Sequence, residues 1–292
     1  MKKLKTFFTA LGVVFFFLIL ISILKGIFLP EVSVPGEKIG LVKVEGVIKS
    51  SDTYLKLLDK LEGDEDVKAI VLRVDSPGGV VGACQEIHDK VKEISQKKPV
   101  VVSMGSIAAS GGLYISVPAT KIVANPGTIT GSIGVILQSY NVKQLADKIG
   151  IKVITVKSGK FKDLLNPFRE PDKKTLQILQ TLIDDSYNQF VEAVAEGRKL
   201  PVEKVKKFAD GRIFTGRQAK ELGLVDELGN FDRAVEVARE LSKSPDARIF
   251  EAKPRKTFIQ KLFGERTEEL LNNLSRAING EVESFYVMYL LD

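Results

Sequence analysis

Position 110 holds a serine surrounded by the smallest residues in the chain: Gly105–Tyr114 reads GSIAASGGLY. A serine hydroxyl in such company suits nucleophilic attack on a carbonyl. Ala108, Ala109, Gly111 and Gly112 leave room for a substrate backbone, and glycine lets N–H groups turn toward a developing oxyanion. The same small residues also serve tight packing between a strand and a helix, so the stretch alone does not decide. Ser110 needs a base. His88 is the only histidine in the sequence, which weighs against a Ser-His-Asp arrangement. A lone histidine on a helix is more often a packing residue than a catalyst. Lysine is the alternative: its amine is protonated near neutral pH, with an ordinary pKa of ~10.4, but burial favours the neutral form that accepts a serine proton. The chain has many lysines, and composition does not choose among them.

Three further stretches carry polar or small residues beside apolar ones. Asp75–Gly79, DSPGG, places a proline-fixed turn before two glycines whose N–H groups are free to aim outward. A helix is expected to follow, with its positive dipole end at the same point. Ordinary strand-to-helix turns look similar, and no Gly-Lys-Ser/Thr follows, so the stretch is no phosphate-binding loop. Thr130–Val135, TGSIGV, offers Ser132 as a hydrogen-bonding partner for an amine. Lys157–Pro167, KSGKFKDLLNP, supplies three lysines in a polar turn.

The elements that must hold these stretches follow from hydrophobic periodicity. Strand patterns cover Lys38–Ile48, Ala69–Val74, Pro99–Met104, Lys121–Ala124, Val153–Val156 and Arg248–Ala252. Helical patterns cover Asp52–Leu61, Val80–Glu93, the stretch from Gly111 to Val117, Leu176–Leu200 and Phe231–Ser242. Ala209–Asp226 reads as turn, strand and helix, and Glu268–Ile278 as an amphipathic helix. In Leu176–Leu200 the apolar positions Leu179, Ile183, Tyr187, Phe190 and Val194 fit a core or subunit face. Strands alternating with helices imply an α/β domain with largely parallel pairing.

The 292 residues carry a net charge of +6, with 44% hydrophobic and 27% charged residues. That balance is ordinary for a globular protein. Basic residues are scattered among acidic ones, which does not fit nucleic-acid binding. Cys84 is the only cysteine, so no intrachain disulfide forms, and a histidine-rich metal site is excluded. Thr6–Leu24 contains no charge and nearly matches the roughly 30 Å hydrocarbon core of a bilayer. Lys2, Lys3 and Lys5 precede it. The expectation is an uncleaved single-pass anchor, N-terminus in the cytoplasm and the rest extracytoplasmic. The chain then divides into residues 1–29, stub and anchor; 30–37, a linker; 38–245, the main domain; and 246–292, a C-terminal extension of undefined role whose apolar end is too short to span a bilayer.

The anchor, DSPGG, GSIAASGG, TGSIGV and SGKFKD, in this order, resemble the signal peptide peptidase A family of bacterial and archaeal membranes. ADGRIFTGRQAKELGLVDELG resembles that family's characteristic C-terminal segment. The likeness runs from about Lys38 to Ala238, and SPGG alone also occurs across the wider Clp-protease and crotonase superfamily. The resemblance implies a Clp-protease/crotonase-like α/β fold of repeated strand-strand-helix units, and a serine endopeptidase with a Ser-Lys dyad, no metal and no cofactor. By motif, Ser110 matches the nucleophile, Lys162 the general base and Ser132 the residue that positions the lysine amine. Gly111 matches one oxyanion donor, and either Gly78 or Gly79 the other. Lys157 and Lys160 fall outside the matching slot. A single copy of the domain resembles the family's short form, which implies a membrane-bound homo-oligomeric ring with sites shared between subunits. Apolar remnant signal peptides are the implied substrates. A related protease cutting apolar segments of a membrane partner, as in stomatin-operon pairs, and a non-catalytic membrane scaffold of the same fold are the alternatives.

Overall fold

The computed structural model describes residues 12–17, 36–254 and 288–290. The expected anchor at 6–24 lies mostly outside them; residues 12–17 are helical and exposed. No helix among the described residues is long and apolar enough to cross a membrane. The helix expected at Glu268–Ile278 also lies outside the described residues, as does most of the linker at 30–37.

Parallel strands dominate the main body, and they carry the apolar runs seen in the sequence. In chain order the elements are β1 (Lys38–Glu45), α1 (Asp52–Glu62), β2 (Val67–Ser76), β3 (Gly78–Val80), α2 (Val81–Ser95), β4 (Val100–Ala109), α3 (Gly111–Tyr114), β5 (Lys121–Ala124), β6 (Ile129–Gly131), α4 (Lys143–Lys148), α5 (Lys173–Arg198), α6 (Val202–Lys206), β7 (Ile213–Thr215), α7 (Gly216–Leu222), β8 (Glu227–Leu228), α8 (Phe231–Ser242), β9 (Arg248–Glu251) and β10 (Met288–Leu290). The main sheet runs β7-β6-β4-β2-β1-β9, with β5 between β4 and β8. All its pairings are parallel except β6 with β7. The strand expected at Arg248–Ala252 joins this sheet beside β1, so the sheet continues past residue 245.

Side chains alternate between the two faces of each strand, and both faces are covered. Ile39, Leu41, Val71, Val101 and Val123 meet Ala234, Val235, Val237 and Ala238 of α8. Val42, Val44, Ile70, Leu72 and Val102 point the other way, into a larger core with Leu58 and Leu61 of α1, Ile87 and Val91 of α2 and Phe190 of α5. Helix ends follow their sequence cues. Asp172 caps α5 by accepting from the Thr175 amide, and Thr215 with Gln218 forms a capping box at α7.

Two features position the chemistry. First, β4 forks: Val101–Met104 pair with β5, while Ile107–Ala109 pair with β6. The pairing with β2 breaks register between Val74 and Ser76, and the Asp75 carboxylate accepts from the Ile107 amide at 3.1 Å across that break. The strand therefore runs five residues past the expected Met104, as far as Ala109. Second, β10 is antiparallel to β3 and forms a separate two-stranded sheet with it.

One expected strand is absent. Val153–Val156 has no regular structure, and Ile154 and Val156 are 89% and 95% exposed. Its apolar pattern is real, but among the described residues no neighbouring strand supplies its hydrogen bonds.

Candidate active site

Ser110 stands between the end of β4 and the start of α3, a sharp strand-to-helix turn. Its backbone takes φ 52°, ψ −116°, a region that costs a non-glycine residue about 1–3 kcal/mol. The turn is held by the Ser110 amide donating to Gly131 at 2.8 Å and by the Tyr114 amide donating to the Ser110 carbonyl at 2.9 Å. The side chain is fully buried, and its Oγ is the one buried side-chain polar atom among the described residues with no hydrogen-bond partner. Leaving such a group unpaired costs about 1–3 kcal/mol. Strain and an unmade hydrogen bond thus coincide on one residue, and both are characteristic of a residue held for reaction rather than for stability.

The glycines around it are required by contact. A Cβ on Gly111 would lie 2.6 Å from Cys84 Sγ and 2.9 Å from the Gly79 nitrogen; one on Gly79 would meet the Ile48 carbonyl at 2.1 Å. The DSPGG turn is therefore pressed against the residue after Ser110. The Gly111 amide opens α3, where no intrahelical carbonyl can receive it. The Gly78 amide donates to Ser76 Oγ at 3.1 Å.

Ser132 lies next in space. It follows Gly131, whose β6 pairs with Ala109, and is itself buried with φ 51°. Among the described non-glycine residues, positive φ is found at Ser110, Ser132, Lys199 and Lys243, and the two lysines are ordinary left-handed helix C-caps. The two serines have no such excuse, and they end adjacent strands. Ser132 lines a cleft of about 530 Å³ with Ile133, Ile136, Ile183, Tyr187 and Gly211.

Lys162 is not brought to Ser110 within one chain. It is exposed, on a turn at 158–165, and Ser110 Oγ has no partner. The two nearest lysines before Lys162 in sequence are engaged. Lys157 pairs with Asp163, which Arg169 also contacts at 3.3 Å, and Lys160 stacks over the Phe161 ring at 5.3 Å. The pairing with Lys157 holds the Asp163 carboxyl below its ordinary pKa.

His88 makes no hydrogen bond to Ser110 Oγ, and its surroundings are those of a packing residue. It is buried in α2, its ring 4.9 Å from Tyr114 and its Nδ1 2.9 Å from the Asp89 carboxylate. Tyr114 in turn packs edge-on against Phe190 at 5.0 Å, so the histidine belongs to the packing that supports α3. Burial lowers its pKa below the ordinary value, against a smaller opposing pull from Asp89. Below ~6.5 the unfolded chain then binds the proton more readily than the folded one. The stability contributed by neutral His88 is complete above ~6.5 and is lost as pH falls toward the folded value. The wild-type urea midpoint is expected to fall more steeply from pH 7 to pH 5 than that of His88→Gln; equal slopes would assign the acid sensitivity elsewhere.

Sequence reasoning missed the depth of the Ser110 burial, the positive φ at Ser132 and the strand β10 beside β3. No group of three or more metal-ligating side chains occurs among the described residues.

Comparison with known proteins matches this sequence to a family. The sequence signature of peptidase family S49 covers residues 92–244, and that of Clp protease covers 42–130. A Synechocystis sp. protein named as a protease, slr0021, is 51% identical over 208 residues, 70% of this chain and 75% of that one. An Enterococcus faecium protein named as signal peptide peptidase SppA is 38% identical over 201 residues, 68% of this chain and 58% of that one. Protease 4 of Haemophilus influenzae is 38% identical over 214 residues, 70% of this chain and 35% of that one. The match thus spans less than two thirds of the latter two. A strained serine at a strand-to-helix turn, a glycine turn pressed against it and a parallel sheet that sets both lie within these matched segments: the chain belongs to peptidase family S49, and is a serine peptidase.

Proposed function

We propose that the chain is a membrane-anchored endopeptidase that hydrolyses apolar peptides, remnant signal peptides among them, through Ser110 and Lys162. The observation that carries this reading is the buried, unpartnered and strained Ser110 hydroxyl. In the reaction, Ser110 Oγ bonds to the peptide carbonyl carbon while its proton passes to the Lys162 amine. The Gly111 amide and the DSPGG turn hold the oxyanion. The intermediate collapses, the C–N bond breaks, and the ammonium returns the proton to the leaving amine. Water then hydrolyses the acyl ester by the same route. Ser132, beside Ser110, orients the lysine amine.

The lysine comes from a neighbouring subunit in this reading. Lys162 is exposed and has no side-chain partner among the described residues, while the nearby Lys157 and Lys160 are engaged. Apolar side chains flank it on both sides: Ile149, Ile151, Ile154 and Val156 before it, Leu176 and Leu182 after it, all at least 42% exposed. A second copy that covers these residues would carry the lysine with it, and a closed ring of head-to-tail contacts repeats the arrangement. The anchor is the uncharged Thr6–Leu24, with the catalytic domain extracytoplasmic. The relative named as a signal peptide peptidase supports the substrate class.

The test is digestion of a panel of synthetic signal peptides by the full chain in detergent, with cuts mapped by mass spectrometry. Cleavage inside the apolar segments is expected. Cleavage confined to polar, extended peptides would overturn the substrate assignment.

A further inference from the structure

β4 reaches Ser110 across a defect in the sheet, and three side chains repair it. Val74 lies opposite Met104, and Ser76 opposite Ala108, so β2 advances two residues there while β4 advances four. The surplus residues of β4 form a bulge facing Asp75. The Asp75 carbonyl is already taken from the β1 side, by the Gly46 amide at 3.0 Å. Its carboxylate replaces the lost rung and accepts from the Ile107 amide at 3.1 Å. Gly105 makes room for that carboxylate, since a Cβ there would lie 2.7 Å from the Asp75 carboxyl carbon.

On its other edge β4 changes partner. Pairing with β5 ends at Met104, and pairing with β6 begins at Ile107. Thr128, just before β6, donates its hydroxyl to the Gly105 carbonyl at 2.7 Å, and Thr130 of β6 donates to the Ala108 carbonyl at 2.6 Å. Both threonines are buried. Gly105–Ala109 is thus held by side chains from both edges, and the next residue is Ser110. A serine keeps φ 52°, ψ −116° only where its surroundings over-determine it. The Ser110 amide bond to Gly131 fixes one point of that turn; Asp75, Thr128 and Thr130 fix the strand that leads into it.

We propose that Asp75, Thr128 and Thr130 are positioning residues for the nucleophile: by replacing the ladder at the fork of β4 they impose the strained turn that aims Ser110 Oγ. The proposal rests on the peptidase reading of Ser110. Each of the three acts through β4 rather than on the substrate. Asp75 has a double part, because it also opens the DSPGG turn. The residue that fixes Ile107 therefore ties the spacing of that turn to the strand carrying the nucleophile. Cutting one of these bonds lets the strain at Ser110 relax and the hydroxyl drift. A drift of about 1 Å costs about 10²-fold in rate, so the loss should appear in kcat and not in KM.

The test uses paired variants of the full chain in detergent. Thr130→Val keeps the side-chain shape and deletes the hydroxyl, whereas Thr130→Ser keeps the hydroxyl. Asp75→Ala deletes the acceptor, whereas Asp75→Asn keeps one. Thr130→Val and Asp75→Ala are expected to lower kcat on a synthetic signal peptide about tenfold or more, with KM within about twofold, and to slow fluorophosphonate labelling alike. Thr130→Ser and Asp75→Asn should recover most of the loss. If Asp75→Ala fails to fold by circular dichroism, the Thr130 pair decides. A second readout needs no activity. Glycine takes the Ser110 conformation without strain, so cutting the brace relieves nothing in a Ser110→Gly chain. Thr130→Val should therefore lower the urea midpoint roughly half as much again in that chain as beside intact Ser110. Equal kcat in Thr130→Val and Thr130→Ser, or strictly additive midpoints, overturns the proposal. Coupled midpoints with neither cleavage nor labelling by the wild-type chain would uphold the brace and instead overturn the peptidase reading.

Discussion

Replacing Ser110 with alanine is expected to abolish peptide hydrolysis and to raise the thermal midpoint at the same time. Loss of a serine nucleophile in a comparable hydrolase costs on the order of 10⁶ in kcat, and no other hydroxyl occupies the strand-to-helix turn. The stability gain follows from the buried Oγ, which has no hydrogen-bond partner. Deleting it removes an unmade bond that costs about 1–3 kcal/mol. Alanine keeps the φ of 52°, so the backbone strain remains. A net gain of about 1 kcal/mol corresponds to roughly 2–4 °C in a domain of this size. Calorimetry of the two proteins, alongside hydrolysis of a signal-peptide substrate, checks both parts. An inactive variant that melts lower would mean the hydroxyl holds the fold together, and the nucleophile would have to be sought elsewhere.

Two inactive variants are expected to restore one another when mixed. Ser110→Ala and Lys162→Ala should each be inert as pure proteins. If subunits assort at random in equal amounts, about one contact in four joins an intact Ser110 to an intact Lys162. Co-expression, or unfolding and joint refolding, should then return about a quarter of wild-type activity. The motivation is the placement of Lys162, exposed in one chain and bordered by apolar residues that a second copy would cover. A site contained in one chain predicts no recovery at any ratio. Mixed assemblies shown to contain both variants, yet inactive, would remove the shared site.

The sheet was legible in the sequence because its strands are buried on both faces. Ile39, Leu41 and Val42, or Val71 and Leu72, form runs that only a two-sided core explains. The helices were legible from their apolar stripes, Asp52–Glu62 and Phe231–Ser242 to within a residue. What stayed hidden depends on partners. The second half of β4, Gly105–Ala109, is built of small residues with no hydrophobic period, and it is a strand because β6 and the Asp75 carboxylate bind it. Val153–Val156 shows the opposite failure: a strand period with no strand beside it among the described residues. The site divides in the same manner. Ser110, Ser132 and the glycine turn gather as their motifs implied, because β2, β4 and β6 end together. Lys162 sits on a segment that no strand among the described residues anchors, so its position relative to Ser110 was not legible from hydrophobic periodicity.

Cys84 gives the wall behind Ser110 a further property. Its sulfur stands within contact of Gly111, fully buried, and burial pushes the thiol up to about 12. Oxidants and electrophiles attack the thiolate, and almost none exists at such a site. Since the sequence holds no second cysteine, neither a disulfide within the chain nor an accessible sulfenic acid can form there. The fold around Ser110 is consequently indifferent to redox potential: a change between reducing and oxidising surroundings leaves the wall behind it unaltered.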